Sequence, residues 1–174
     1  RSVDVATRAL QQAGFHVAPP RVQQGPVDMV LDGTVRIQCK ARTMPKYSTQ
    51  TYTVSLRRGV GSSRSRPYSI GDFDMLLVII MDGMLPLGFF VIPTWELEQR
   101  GHLCRFAKRV SLNLYPPWSS PTISKARSAK EWQAQYWVGA EVLQGEDGAR
   151  LRRLVLACRG SPPSSDRAGS VEDA

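Results

Sequence analysis

The chain alternates short apolar stretches with polar breaks, and the spacing of its apolar residues predicts most of its elements. From Ser2 to Ala13, Val3, Ala6, Leu10 and Ala13 recur at helical intervals, and Gly14 is a natural stop. Phe15 to Ala18 reads as a short strand ended by Pro19-Pro20, and Arg21 to Gly25 is a polar link. Between Pro26 and Arg42 the pattern becomes a strand, a turn at Asp32-Gly33 and a second strand that ends in Gln38-Cys39-Lys40. Two registers compete there. A two-residue loop pairs Leu31 with Thr34 and mixes Met29 and Leu31 with Arg36 and Gln38 on one face. A three-residue loop, Asp32-Gly33-Thr34, pairs Leu31 with Val35 and Asp28 with Gln38. It also gathers Met29, Leu31, Val35, Ile37 and Cys39 on one apolar face. One face has to be buried, so the patterning selects the three-residue loop.

Thr51 to Leu56 alternates like a strand, and Arg57 to Pro67 is a loop rich in Gly, Ser and Arg. Phe73 to Met81 and Leu85 to Ile92 are continuously apolar, are joined through Asp82-Gly83, and read as an antiparallel pair inside a sheet. Thr94 is placed to cap a short helix, Trp95 to Arg100, and Arg105 to Leu114 holds a further strand. After the Pro-rich break from Tyr115 to Pro121, Ser128-Ala129-Lys130-Glu131 has the spacing of a capping box that opens a helix bearing Trp132, Tyr136 and Trp137. These three aromatics read as core or dimer packing ahead of base stacking. Leu151 to Ala157 fits strand or helix. The reading is one domain over residues 1–158, with a basic loop at 42–68 and a flexible polar tail at 159–174.

Charge adds a partner to this outline. The 174 residues carry a net charge of +8 and a pI of about 9.9, which favours a polyanion and puts nucleic acid ahead of anionic membrane. Residues 33–70 contain no Asp or Glu. The same span holds Arg36, Lys40, Arg42, Lys46, Arg57, Arg58, Arg64 and Arg66, with Tyr47, Tyr52 and Tyr68 among them. Of these, Arg36, Arg42, Lys46, Tyr47, Arg57, Arg58, Arg64 and Arg66 are the candidate nucleic-acid contacts. The longest apolar run is far too short to cross a bilayer, and the opening helix carries Asp4, so neither a membrane span nor a secretory signal is expected. The three cysteines, Cys39, Cys104 and Cys158, lack metal-binding spacing and point to reduced thiols in an intracellular compartment. His16 and His102 are the only histidines, which leaves little room for histidine-based catalysis.

The candidate chemistry sits on the hairpin. Gln38 and Lys40 alternate to the same face of their strand, about 6.6 Å apart. In the favoured register Asp28 joins them. An acid, an amide carbonyl and an ammonium on one face can hold a metal and polarise a water, so the residues point to a metal-dependent nuclease.

The order of these motifs, a helix with an acid near its start, then Gly-Phe-x-Val, then Pro-x-Asp, then Gln-x-Lys, resembles the PD-(D/E)xK nuclease superfamily. Ile37-Gln38-Cys39-Lys40, Asp72-Phe73-Asp74 and Phe90-Val91-Ile92-Pro93 resemble its group I intron homing endonuclease branch, over roughly residues 2–100. The resemblance implies an α/β (α+β) restriction-endonuclease-like core, a mixed central sheet flanked by helices. It implies Asp28, Gln38 and Lys40 as catalytic residues, with Asp4, Asp28 and Gln38 around Mg²⁺ or Mn²⁺ and Lys40 on the attacking water. DNA is the implied substrate, with RNA left open, and a homodimer the implied assembly. Gln38 stands where the family has an acid, and Asp4 where it often has Glu. The alternative is a catalytically inactive nuclease-fold module that binds nucleic acid or serves as an assembly subunit.

Overall fold

The computed structural model describes residues 2–21, 25–45, 50–58, 66–103, 111–140 and 146–158. Helix α1 (Ser2–Gln12) buries Ala6, Ala9 and Leu10, and the chain turns at Gly14, whose φ of +86° suits glycine. Strand β1 (Val17–Ala18) pairs with β2 (Met29–Leu31), which pairs with β3 (Val35–Arg42). The β2–β3 register sets Leu31 opposite Val35 and Met29 opposite Ile37, as burial of one face requires. Asp32 (φ +46°) and Gly33 (φ +71°) take the left-handed turn positions. The Asp32 carboxylate accepts from the His16 N–H and its own N–H donates to the His16 carbonyl, tying the turn to β1.

Between β3 and β7 (Met75–Asp82) the chain leaves the sheet through β4 (Tyr52–Ser55), β5 (Arg57–Arg58) and β6 (Arg66–Pro67). Strand β7 runs parallel to β3, Gln38 opposite Leu76 and Lys40 opposite Val78, and antiparallel to β8 (Leu85–Pro93). With β10 (Trp137–Gly139) on β8, the mixed sheet has the order β1-β2-β3-β7-β8-β10. Strand β4 pairs with β9 (Ser111–Leu114), and β5 with β6. Helices α2 (Thr94–Gln99), α3 (Ser124–Ala134) and α4 (Glu146–Ala157) complete the fold, an α+β architecture with a mixed central sheet flanked by helices. No helix among the described residues is long and apolar enough to cross a membrane.

The continuous apolar run of β7 is explained by burial on both faces. Met75, Leu77 and Ile79 join Met29, Leu31, Val35, Ile37 and Cys39 under α1 and α4. Leu76, Val78 and Ile80 join Tyr52, Val54, Tyr68, Phe73, Phe90, Leu112 and Leu114 on the opposite face, beneath the β4–β9 pair. Gln38 and Lys40, alternating with Ile37 and Cys39, therefore face the second core.

Several local expectations are corrected. The Thr94 hydroxyl donates to the Phe73 carbonyl at 2.8 Å and gives α2 no side-chain cap; Pro93 holds the N-cap position. Helix α3 starts at Ser124, so Ser128 to Glu131 lies inside it; that spacing suits a helix interior too, and no stop separates Ser124 from Ser128. Tyr136 sits in the turn after α3 and Trp137 opens β10, with the Trp137 ring edge-on to Phe90 and Trp118. Leu151 to Ala157 is helical, as part of α4. The tail at 159–174 and residues 104–110, with Cys104, lie outside the described residues.

Candidate active site

Asp28 enters β2 through a bond from its N–H to the Ile37 carbonyl at 2.7 Å, which continues the β2–β3 ladder one step beyond Met29. That step brings the acid to Gln38. One carboxylate oxygen, Asp28 Oδ2, accepts from Gln38 Nε2 at 2.6 Å and from the Cys39 N–H at 2.8 Å. Gln38 is 6% exposed, so its amide must find partners inside the protein. Its NH₂ also donates to the Cys39 carbonyl at 3.1 Å, and its Oε1 accepts the Tyr68 hydroxyl at 3.1 Å. The Lys40 ammonium lies 5.2 Å from the centre of the Tyr68 ring, within cation–π range. Asp28, Gln38 and Lys40 thus converge, and Tyr68 joins them.

Burial dominates the electrostatics. It pushes the Asp28 carboxyl up from its ordinary value, against the Cys39 N–H and the charge of Lys40, which pull it down. Burial, followed by the nearby Arg42 charge, lowers the Lys40 ammonium from its ordinary value, with Asp28 opposing. Burial and the charge of Asp28 raise the Cys39 thiol to about 12, so Cys39 is an inert small hydrophobe there. Burial, then Asp28 and Asp72, push the Tyr68 hydroxyl up to about 12, which keeps it a donor at neutral pH.

The other sequence candidates divide. Asp4 is exposed on the first turn of α1 and is not among the charges that shift Asp28 or Lys40. Arg36 is turned onto protein: its guanidinium bonds both oxygens of Asp74 and the Gly71 carbonyl. Arg42 donates to the carbonyls of Thr53 and Ala41, and Arg66 forms a paired contact with Asp72 at 2.9 and 3.0 Å. Arg57 and Arg58 form the short strand β5, and Arg58 is close enough to Tyr68 to act on its hydroxyl. Lys46, Tyr47 and Arg64 lie outside the described residues. Among the described residues no three His, Cys, Asp or Glu side chains form a metal-binding group. Sequence reasoning missed Tyr68 as a site residue. Its one signal was an aromatic at the end of the basic loop, which a core tyrosine would also give.

Two solved structures align with this architecture. The crystal structure of MepB matches with a TM-score of 0.55 at 20% identity, covering 81% of this chain and 97% of that one. A bacterial homing endonuclease, I-Ssp6803I, aligns with a TM-score of 0.48 at 20% identity, covering 76% and 93%. No curated protein matches the chain. The model of the MepB-like family matches residues 26–139, which include Asp28, Gln38, Lys40 and Tyr68 and begin after Asp4. With about two thirds of its length in that match, the chain belongs to the MepB-like family.

Proposed function

We propose that the protein is a Mg²⁺-dependent endonuclease that hydrolyses phosphodiester bonds in DNA, built on a PD-(D/E)xK-type site in which Gln38 takes the second-acid position. The observation that supports it is the meeting of Asp28, Gln38 and Lys40 on one sheet face, with the acid bonded to the amide and the ammonium acting on the acid.

The donor set fits a largely hydrated Mg²⁺, or Mn²⁺ in its stead, because Mg²⁺ keeps several waters and takes few protein ligands. Asp28 Oδ2 is occupied by two N–H donors, while Oδ1 accepts from no described donor and is the oxygen for an ion. The Gln38 carbonyl has a second lone pair beside the one that takes the Tyr68 hydroxyl. Asp28 and Gln38 would hold the ion, and Asp4 remains a candidate by sequence position. When bound, the ion supplies charge neutralisation at the phosphoryl oxygens and a more acidic water. Lys40 would orient the attacking water, and its ammonium places positive charge where negative charge develops. The overall charge of +8 suits phosphate backbones, with DNA ahead of RNA as the partner. A homodimer fits cleavage of two antiparallel strands.

The test is Mg²⁺-dependent nicking of plasmid DNA. Lys40→Ala and Asp28→Ala should each abolish nicking, and Lys40→Ala should do so while leaving the fold and DNA binding largely intact. Wild-type cutting by Lys40→Ala would refute the assignment. A second reading, a non-catalytic nucleic-acid-binding or assembly module, is favoured by one observation: the group bonded to Asp28 is an amide N–H and not a second acid. That reading predicts salt-dependent DNA or RNA binding with no nicking in Mg²⁺ or Mn²⁺.

A further inference from the structure

We propose that Tyr68 is a positioning residue for this site: its hydroxyl holds Gln38 as a hydrogen-bond donor to Asp28, and its ring seats the Lys40 ammonium. The inference rests on the nuclease reading for its effect on catalysis, and on geometry alone for its effect on Gln38.

Tyr68 is fixed independently of the site. Its N–H donates to the Leu56 carbonyl at 3.0 Å, its ring meets Phe73 edge-on at 5.2 Å, and it is 5% exposed. A rigid phenol therefore presents its hydroxyl at a set point, 3.1 Å from Gln38 Oε1. The Gln38 amide has two different ends, and its neighbours distinguish them. Asp28 Oδ2 and the Cys39 carbonyl only accept, and both lie on Nε2, at 2.6 and 3.1 Å. On Oε1 the described donor is the Tyr68 hydroxyl. Without it, a buried carbonyl oxygen has no partner, and the side chain gains by rotating toward water or toward an ion.

The consequence concerns the role of Gln38. Held by Tyr68, the amide spends its N–H on Asp28 Oδ2 and leaves Oδ1 for an ion. The chain from hydroxyl to carbonyl and from N–H to carboxylate polarises in one direction, so each bond strengthens the next. The same phenol places its π-face by Lys40 Nζ, so one side chain sets both the amide and the ammonium relative to Asp28. Gln38 at the second-acid position is thus an aligning group for Asp28, and Tyr68 is what keeps it aligned.

Tyr68→Phe removes the hydroxyl and keeps the ring, its contact with Phe73 and its face toward Lys40. The side-chain NH₂ resonances of Gln38, followed by ¹⁵N NMR, should move from distinct, slowly exchanging positions to those of a free amide. In the reciprocal variant, Gln38→Ala, the slowly exchanging Tyr68 hydroxyl proton should disappear. On plasmid DNA, Tyr68→Phe should lower kcat by about tenfold, the loss of one aligned hydrogen bond, with KM unchanged. In the Gln38→Ala background the same substitution should cost nothing further. Unmoved Gln38 resonances in Tyr68→Phe would overturn the proposal. So would kcat losses that multiply in the double variant, since Tyr68 would then act independently of Gln38. If the wild-type protein cuts no DNA, the nuclease reading fails while the resonances still decide what Tyr68 does to Gln38.

Discussion

Replacing Asp74 with alanine tests what holds the β3 register beneath the site. Asp74 precedes β7 and faces Arg36, two residues before Gln38. Its Oδ2 accepts the Arg36 backbone N–H at 2.8 Å and Nε–H at 3.1 Å, its Oδ1 accepts from Arg36 Nη2 at 2.7 Å, and its own N–H donates to the Arg36 carbonyl. The side chains are 42% and 30% exposed, so the ion pair is discounted for screening to about 1 kcal/mol. The orphaned Arg36 N–H, part-buried in a strand, adds about 1–2 kcal/mol. Asp74→Ala should therefore cost about 2–3 kcal/mol in urea unfolding, or about 5–10 °C for a chain of this size.

The sign of the pH dependence provides a second check. Burial raises the Asp74 carboxyl, but the Arg36 side-chain and backbone bonds outweigh it and hold the group below its ordinary 3.8. Its stabilisation is then fully present above 3.8 and is lost as pH falls through the lower folded value. The gap between wild type and Asp74→Ala should be constant near neutrality and close only in acid. A cycle with Arg36→Ala should show coupling of about 1 kcal/mol. Equal unfolding midpoints, or additive single effects, would refute the clamp and return Arg36 to the nucleic-acid surface.

Two further predictions concern charge at the site itself. Lys40→Met should abolish nicking yet raise the melting temperature, because the net lowering of the ammonium by burial, with the pull of Asp28 already included, means its charge destabilises the fold. Calorimetry at rising pH should show the difference shrink as the wild-type lysine sheds its proton below 10.5, and a lower melting temperature for the variant would contradict the argument. Gln38→Glu sets a second carboxylate where the amide now lies 2.6 Å from Asp28. The pair should repel, lowering neutral-pH stability in chelator, with recovery in acid and in millimolar Mg²⁺; stability unresponsive to Mg²⁺ would remove this pair as an ion site.

What the sequence made legible follows the reach of each interaction. The β2–β3 hairpin was readable because a one-residue slip would put Arg36 and Gln38 into the core beside Met29 and Leu31. The same alternation fixed the shared face of Gln38 and Lys40, and the turn chemistry of Asp32-Gly33 agreed with it. The β7–β8 pair was readable from two apolar runs around Asp82-Gly83. The parallel pairing of β3 with β7 has no comparable local signal, since more than thirty residues of crossover separate Ile37 from Met75. The partners of the arginines are no easier to read. Arg36 meets an acid 38 positions away, and Arg66 one that falls just outside the acid-free span. Composition reports a basic stretch but not where its charges are spent. Tyr68 belongs to this class too: its partner Gln38 is 30 residues distant, across the crossover.

The placement of the site explains why stability and chemistry are bound together in it. Gln38 is buried among the apolar residues of the second core, so its amide has to be satisfied internally whatever the protein does. The acceptors and donors that satisfy it are Asp28, the Cys39 carbonyl and Tyr68, and Asp28 is the acid that the proposed chemistry needs in a fixed position. Preorganisation here comes from the ordinary requirement that a buried amide be paired. Changes at Asp28, Gln38 or Tyr68 should therefore move stability and rate together. Lys40 is the exception. Burial opposes its charge, so the ammonium that the proposed reaction would use is one that the fold holds at a cost.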